Sequence, residues 1–363
     1  MDKIFLIDTN QITYQQLIDY VNGNESGSYS DIELFFLNTI RGLVIGKIKD
    51  VDDLIQNMYQ TNQSIELHTS GTTGEPKIVY QTFKNMVRSI KTSNDRIDDV
   101  WGLFYQPIRM AGYQVLFQSL LNKNTLVNMF RYEYKDIQDR LIRFGVTHIS
   151  ATPTLYKMIV SDDIVFDKIQ QITFGGEGSN EKLQQSIQKY FPNARIKNIY
   201  ASTEVGSLFA SDGELFKLPN NSDLVKIENG KLFVHKDVVG NSESIKFEGD
   251  WFDTGDLIEM VTNTHFKILG RDSSIVKVAG YNVNLESVEM KIQRLDFIKM
   301  CKLYSEESSV LGNILCCEII PYGELNVREL KSKFREILEK QEIPSKIRFV
   351  KSIEINENGK IKR

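Results

Sequence analysis

Apolar positions along the chain follow two different spacings, which predicts a protein that mixes strands and helices. Runs rich in β-branched residues predict strands at 147–152, 171–176 and 194–202. Between the last two runs, Leu183, Ile187 and Phe191 recur every four residues and give the segment 180–191 one apolar helical face. A strand, a helix and a strand with short connections form a unit whose strands run parallel. The pattern therefore predicts an α/β core of mainly parallel sheets flanked by helices.

The pattern changes twice towards the C-terminus. From about residue 224, alternating runs flank Asn229 and Gly230, a pair typical of a tight hairpin, which predicts a small β-rich part. Beyond residue 270, helical spacing at 285–292, an apolar strand at 314–320 and a helix capped by Asn326 indicate a small α+β unit. The predicted division is a core at 1–270 and a C-terminal domain at 271–363.

Composition and charge narrow the function classes. A chain of 363 residues, 41% apolar and 25% charged, is ordinary for a globular protein of about two domains. The net charge of −4 argues against nucleic acid as a partner. No run approaches the roughly 18 apolar residues of a membrane span. Three cysteines without metal spacing, and an N-terminus unlike a signal peptide, predict a cytoplasmic protein with reduced thiols.

A polar run, HTSGTTGEPK at 68–77, is unsuited to a core strand or helix. Its glycines let the backbone approach a phosphate, and its hydroxyls and N–H groups can form an anion-binding concavity. The glycine and lysine spacing does not match the P-loop of phosphotransferases. On its own, the run fits a phosphate cradle and a polar surface turn equally well. The candidate phosphate-binding residues are Ser70, Gly71, Thr72, Thr73, Gly74 and Lys77.

Further polar motifs favour the phosphate cradle. YASTE at 200–204 follows the last predicted parallel strand, at the sheet edge where such folds bind ligands. The other motifs are WFDTGDL at 251–257, GRDSSIVKVAG at 270–280 and NGK at 358–360. In this order the set resembles the signature motifs of the acyl-adenylate-forming superfamily, which includes acyl-CoA synthetases, peptide synthetase adenylation domains and luciferases. The resemblance extends from about residue 66 to the end, and implies a large core, a mobile C-terminal lid and chemistry between them.

The resemblance implies ATP, Mg²⁺ and a thiol acceptor, either CoA or phosphopantetheine. The glycine-rich run would hold the β- and γ-phosphates, and Thr203 would hydrogen-bond the α-phosphate. Glu204 would bind Mg²⁺, a cation that prefers carboxylate oxygen. Lys360 matches the catalytic lysine, whose charge would bridge the attacking carboxylate and the α-phosphate. Without the resemblance, Lys360 would be assigned to a frayed, charged terminus.

The resemblance also assigns the nucleoside end of the site. The adenine would lie along the strand end formed by Gly175, Gly176 and Glu177, with Tyr200 over its face. Asp256 would accept hydrogen bonds from the ribose, with Arg271 nearby. Glu177 and Arg271 have plain alternatives, as a solvated loop carboxylate and a surface linker residue, and Asp253 is assigned to a turn.

Several features depart from the superfamily pattern. Only 67 residues precede His68, fewer than relatives usually carry, which predicts a shortened N-terminal region. Ser273 stands where relatives carry an Asp or Lys hinge. Arg109 occupies the segment expected near the acid, where it would pair with a second carboxylate or a polar group on the acid or, as the favoured alternative, point to solvent. Lys277 and Gly280 fit a pantetheine tunnel and a plain hairpin equally.

The predicted function is an ATP-dependent ligase that adenylates a small carboxylic acid and passes the acyl group to CoA or a carrier-protein pantetheine. The runner-up is o-succinylbenzoate–CoA ligase of menaquinone synthesis. A different class, a non-catalytic relative that senses ATP or AMP, need not keep a lysine at the reaction centre.

Overall fold

The structure is a computed structural model. It describes residues 2–25, 27–69, 77–160, 164–219, 223–308, 312–356 and 359–362. The α-helices of the described residues are α1 Tyr14–Val21, α2 Asp31–Gly42, α3 Val51–Gln60, α4 Phe83–Val87, α5 Met110–Leu121, α6 Tyr134–Arg143, α7 Pro153–Ile159, α8 Glu181–Gln188, α9 Leu285–Ile292 and α10 Val327–Ile337.

The strands of the described residues follow in chain order. They are β1 Ile4–Ile7, β2 Gln11–Thr13, β3 Ser64–Thr69, β4 Lys77–Thr82, β5 Val100–Leu103, β6 Thr125–Asn128, β7 His148–Ala151, β8 Gln171–Gly175, β9 Arg195–Ser202, β10 Gly206–Ser211, β11 Phe216–Lys217, β12 Val225–Glu228, β13 Lys231–His235, β14 Phe247–Glu248, β15 Trp251–Met260, β16 His265–Arg271, β17 Ile275–Val278, β18 Tyr281–Asn284, β19 Ile298–Ser308, β20 Gly312–Pro321 and β21 Lys346–Phe349.

The main sheet has the strand order β10-β9-β8-β7-β5-β6-β1-β2. Its inner strands, from β9 to β1, pair in parallel, and antiparallel strands close both edges. The sequence predictions of strands at β7, β8 and β9, and of the helix between the last two, are confirmed. The predicted α/β class is confirmed with them.

Helices cover both faces of this sheet because each face buries an apolar cluster. Helices α1 to α5 pack in one cluster, and α6 to α8 pack in the other. Helix α8 begins where Asn180 accepts a hydrogen bond from the Leu183 N–H at 2.8 Å, a standard N-cap. Helix α5 is buried on nearly all sides, in agreement with its largely apolar sequence.

The predicted β-rich part is an antiparallel sheet with the order β11-β16-β15-β13-β12, and β14 pairs with β15. Strands β12 and β13 form the predicted hairpin. Asn229 and Gly230 both have positive φ, at 50° and 72°, which a two-residue turn of this type requires.

The C-terminal region has its own apolar cluster, whose buried members come from residues 278–338. It combines α9, α10 and the sheet β19-β20-β21. Cys301, Cys316 and Cys317 are buried free thiols, in agreement with the sequence interpretation. This separate core supports a boundary near residue 271, which stays a prediction. In the described parts of the chain, none of the helices has the length and apolarity to cross a membrane.

Candidate active site

A cavity of about 450 Å³ lies between one face of the main sheet and helix α5. Alternate residues of β8 and β9 form its sheet wall, because successive strand side chains point to opposite faces. These residues are Gln171, Thr173, Gly175, Lys197, Ile199 and Ala201. The helix wall is one face of α5, at Met110, Ala111, Gln114, Val115 and Gln118. The cavity therefore runs along the strands, from their carboxyl ends towards their amino ends.

Predicted site residues from separate motifs meet at the carboxyl end of the cavity. Thr203 and Glu204 follow β9, and Gly175 and Gly176 end β8. The remaining two, from distant parts of the sequence, are Arg271 and Lys360. This is the edge of a parallel sheet where ligands bind. The structure thus brings six of the predicted residues to one cavity.

Hydrogen bonds to the core hold the C-terminal loop that carries Lys360. The Thr152 hydroxyl donates to the Gly359 carbonyl at 2.6 Å. The Ile361 N–H donates to Glu177 Oε1 at 3.3 Å, and Glu177 Oε2 accepts from the Thr154 N–H at 3.1 Å. Glu177 therefore connects the loop to the core and does not line the cavity. The hydrogen bonds that Glu177 accepts give this carboxylate, which follows Gly175 and Gly176, a structural role.

Gly176 allows the lysine side chain to enter the cavity. Its φ is 80°, which L side chains rarely adopt, and a Cβ there would lie 2.9 Å from Lys360 Cε and 3.2 Å from Lys360 Nζ. The lysine side chain thus occupies the space that the missing Cβ leaves. Glycine is required at this position for both reasons.

Tyr200 and Asp256 lie behind the cavity wall. The Tyr200 hydroxyl donates to the Asp256 carboxylate, and Arg271 Nε lies 3.4 Å from Asp256 Oδ1. Burial raises the pKa of Asp256 above its ordinary value, although the Arg271 charge opposes the shift. Arg271 is about half exposed, pairs with Asp256 and lines the cavity. These contacts differ from those expected of a surface linker residue.

Two residues that sequence reasoning missed fix the backbone of the YASTE motif. Gln81 Nε2 donates to the carbonyls of Thr203 at 3.0 Å and Glu204 at 2.8 Å. Arg88 donates to the carbonyls of Val205 and Ser207 just beyond them. The sequence of β4 does not mark Gln81, which takes an inward position in the strand, two residues after the buried Val79.

The comparisons with known proteins agree with this geometry. A family model described as "AMP-binding enzyme" matches residues 62–238. This match places residues 62–238 in the AMP-binding enzyme family, in agreement with the resemblance to the acyl-adenylate-forming superfamily. A 2-succinylbenzoate–CoA ligase of Staphylococcus epidermidis is 22% identical over 82% of this chain and 68% of its own length. A plipastatin synthase of Bacillus subtilis is 24% identical over 87% of this chain, which spans 15% of that protein.

Solved structures share the adenylate-forming fold. ATP-bound MatB from Rhodopseudomonas palustris has a TM-score of 0.74 at 15% identity, over 99% of this chain and 94% of its own. The o-succinylbenzoate CoA synthetase MenE of Bacillus subtilis, in complex with its acyl-adenylate, has a TM-score of 0.72 at 18% identity, with the same coverage. The family match and the ligase relatives agree with the predicted reaction class, an AMP-forming acid–thiol ligase.

The glycine-rich run of the adenylate-forming pattern falls largely outside the described residues. Ser70, Gly71, Thr72, Thr73 and Gly74 lie there, so their predicted role in binding phosphates stays a prediction. The run connects Thr69 to Lys77, which face each other as the last register pair of the hairpin β3–β4. Thr69 lines the cavity, whereas Lys77 is exposed and is not part of its lining.

The favoured expectation that the Arg109 side chain points to solvent is wrong. It lines the cavity, and its guanidinium donates to the His68 carbonyl and, at 3.0 Å, to Gln106 Oε1. Its position immediately before α5 turns the side chain towards β3 rather than outward. Arg109 therefore connects the base of the glycine-rich run to the wall of the cavity.

Replacement of Asp256 by Asn is expected to raise the melting temperature at pH 7. Burial raises the carboxyl pKa, so ionisation of Asp256 costs stability in the folded protein once the pH exceeds that pKa. An amide can still accept from the Tyr200 hydroxyl without that cost. The gain should shrink as the pH falls from the raised pKa towards about 4 and be absent below it, where the carboxyl is protonated in both states. A gain that persists or grows below pH 4 would contradict this account.

Replacement of Arg88 by Met is expected to lower the free energy of unfolding by about 2–4 kcal/mol, because three half-buried carbonyls lose a charged donor. The third acceptor is the Val238 carbonyl at 3.2 Å. Urea unfolding would measure the change, with Arg335→Met as the matched control on the exposed side of α10. Equal losses from both variants would show that the Arg88 contacts contribute nothing specific.

Proposed function

We propose that this chain itself joins a small carboxylic acid to a thiol at the described cavity. In the first step, a carboxylate oxygen bonds to the α-phosphorus of ATP as the bond to the β-phosphate oxygen breaks, which gives acyl-AMP and pyrophosphate. In the second step, a thiol sulfur bonds to the acyl carbon, AMP leaves and the thiol proton is released. CoA and a carrier-protein phosphopantetheine are the two candidate acceptors.

The position of Lys360 carries the proposal. Its side chain, from the end of the chain, contacts Gly176 within the same cavity that Thr203 and Glu204 line. A fixed cation there would stabilise the negative charge that builds up around the α-phosphate in the transition state. A protein that only bound nucleotide would not need to keep a lysine at this point. The contact supports catalysis over the sensor alternative.

Mg²⁺ fits the site through a single protein ligand. Among the described residues, no cluster of three or more His, Cys, Asp or Glu side chains could hold a metal by itself. Glu204 provides a carboxylate in the cavity, and Mg²⁺ usually pairs one or two carboxylates with substrate phosphates. The ion, when bound, would neutralise part of the phosphate charge. The substrate would therefore bring most of the metal's ligands.

The segment 271–363 would act as a lid that closes for the first step and turns for the second. Exposed ion pairs join it to the core, at Lys231–Asp272, Lys182–Asp296 and Arg294–Glu214. Exposed pairs of this kind contribute roughly 0–1 kcal/mol each, which suits a contact that must open during turnover. The hinge would lie at Ser273, in the short turn Asp272–Ser274.

Product analysis tests this proposal. The protein would be incubated with ATP, Mg²⁺, a panel of carboxylic acids and CoA, and the nucleotides would be separated by chromatography. We expect AMP, pyrophosphate and an acyl-CoA to form in equal amounts with at least one acid. ADP as the product would indicate a phosphotransferase, and bound ATP without any turnover would indicate the sensor.

The runner-up, an o-succinylbenzoate–CoA ligase, has specific support. Both the curated relative in Staphylococcus epidermidis and the Bacillus subtilis structure carry that activity in their names. Their identity to this chain, 22% and 18%, supports the reaction class better than the acid. The inclusion of o-succinylbenzoate in the acid panel separates this candidate from the general ligase.

A further inference from the structure

The amino end of the cavity, away from Lys360, carries a cluster of positive charge. Lys91, Arg96 and Lys197 line this end, which we call the distal basic cluster. Lys91 and Arg96 lie on the segment after α4, and Lys197 lies on β9. None of the motifs of the superfamily pattern includes these residues. The cluster therefore needs an explanation of its own.

The described carboxylates near the cluster neutralise it only in part. Asp212 binds the neighbouring Arg195 through two contacts, and Asp99 lies 3.5 Å from His148 Nε2. Both carboxylates also act at longer range, Asp212 on Lys197 and Asp99 on Arg96. Burial lowers the pKa of Lys197; the charges of Arg195, Lys91 and Arg96 act in the same direction, and the charge of Asp212 opposes them. An anion bound beside Lys197 would relieve this cost.

Two buried N–H donors line the same cavity without a partner among the described residues. They are Trp101 Nε1, on a side chain 5% exposed, and Gln118 Nε2. A buried donor without an acceptor costs about 1–3 kcal/mol, so such groups usually have a partner in the functional state. Trp101 also packs against His148, with ring centroids 4.9 Å apart and the rings tilted by 33°, which helps to fix its orientation. Cations and free donors together favour a ligand rich in acceptor oxygens.

The cluster lies at a defined distance from the reaction centre. From Met110 to Gln118, helix α5 rises by about 12 Å. From Gly175 to Gln171, strand β8 covers about 13 Å. Since lysine and arginine side chains are long, the spacing between ligand groups bound at the two ends is shorter than these backbone distances. The wall between the ends combines the apolar Val115 and Ile199 with the polar Gln114 and Thr173, so a ligand that spans the two ends can have an apolar middle.

We propose that the acid substrate is a dicarboxylate of medium length, with one carboxylate adenylated beside Lys360 and the other bound by the distal basic cluster. The far carboxylate would accept from Lys197, Arg96 and the Trp101 and Gln118 N–H groups. Monocarboxylic acids would leave these donors and charges without a partner. This inference rests on the proposed function and specifies its substrate class.

The experiment compares acids that differ only in the second charge. ATP–pyrophosphate exchange would be measured with α,ω-dicarboxylates of four to ten carbons, o-succinylbenzoate, and monocarboxylic acids of equal chain length. We expect the best diacid to exceed its matched monoacid at least tenfold in kcat/KM. In Lys197→Gln and Arg96→Gln, kcat/KM for that diacid should fall about tenfold or more, mainly through KM, and the monoacid should be unaffected. Lys84→Gln on α4, outside the cavity lining, is the control.

The outcomes separate the substrate class from the reaction. If monoacids support exchange as well as diacids, or if Lys197→Gln and Lys84→Gln behave alike, the dicarboxylate inference is wrong and the ligase stands. If no acid supports exchange, the proposed function fails, and calorimetric titration with the same diacids then tests the cluster directly. Binding that Lys197→Gln weakens would support the cluster as a carboxylate site, and the absence of binding would overturn it.

Discussion

Replacement of Lys360 by alanine is expected to slow acid-dependent pyrophosphate release by roughly 10²–10³-fold. The side chain enters the cavity against Gly176, and the Thr152 and Glu177 hydrogen bonds fix the loop that carries it. The charge acts where negative charge builds up, so its removal should lower kcat far more than it weakens ATP binding. Single-turnover pyrophosphate release and nucleotide titration would measure the two effects separately.

Lys362 provides the matched control for this variant. It lies two residues further along, is exposed, and pairs with Glu354 at 2.8 Å. Lys362→Ala should keep near-normal turnover because it leaves the cavity unchanged. Comparable losses in both variants would show that the terminal segment matters only as a structural element, and would remove the catalytic role from Lys360.

Gly176→Ala should produce the second largest loss, about 10–100-fold in adenylation. The new Cβ would lie 2.9 Å from Lys360 Cε, so the lysine side chain must move. Displacement of a catalytic group by about 1 Å can cost up to 10²-fold in rate. The φ of 80° adds backbone strain of about 1 kcal/mol or more. Steady-state kinetics and thermal unfolding would separate the kinetic loss from the loss of stability.

The control for strain and packing is Gly323→Ala. Nothing lies within 4 Å of a Cβ built at Gly323, so this variant should behave like wild type. A further comparison uses Gly176→Ala together with Lys360→Ala. If the alanine at 176 acts by moving the lysine, it should cost little more once the lysine side chain is absent. A full additional loss in the double variant would contradict the displacement model.

The sequence was sufficient to predict those parts of the fold that depend on local patterns. The strands β7 to β9 and helix α8 follow from periodicity, and the Asn229–Gly230 turn follows from its need for positive φ. The short strand β1 was missed, because four apolar residues alone do not separate a strand from other short segments. The segment is identified as a strand only by its parallel pairing with β6 inside the main sheet.

The candidate site was predicted unevenly for a similar reason. Motifs identified Thr203, Glu204 and Lys360, and the structure places all three at one cavity. The supports of these residues come from elements far away in sequence, such as Gln81, whose partners lie more than 120 residues away. The distal basic cluster could not be predicted either, since its members become neighbours only when β9 packs beside the segment after α4.

The most direct test of the central claim is acid-dependent exchange of labelled pyrophosphate into ATP. The account predicts exchange with at least one acid of the panel, strongest among the dicarboxylates, slowed by roughly 10²–10³-fold in Lys360→Ala and retained in Lys362→Ala. This result would establish adenylation at the described cavity. Exchange that does not depend on the acid, or that keeps its wild-type rate in Lys360→Ala, would contradict the account.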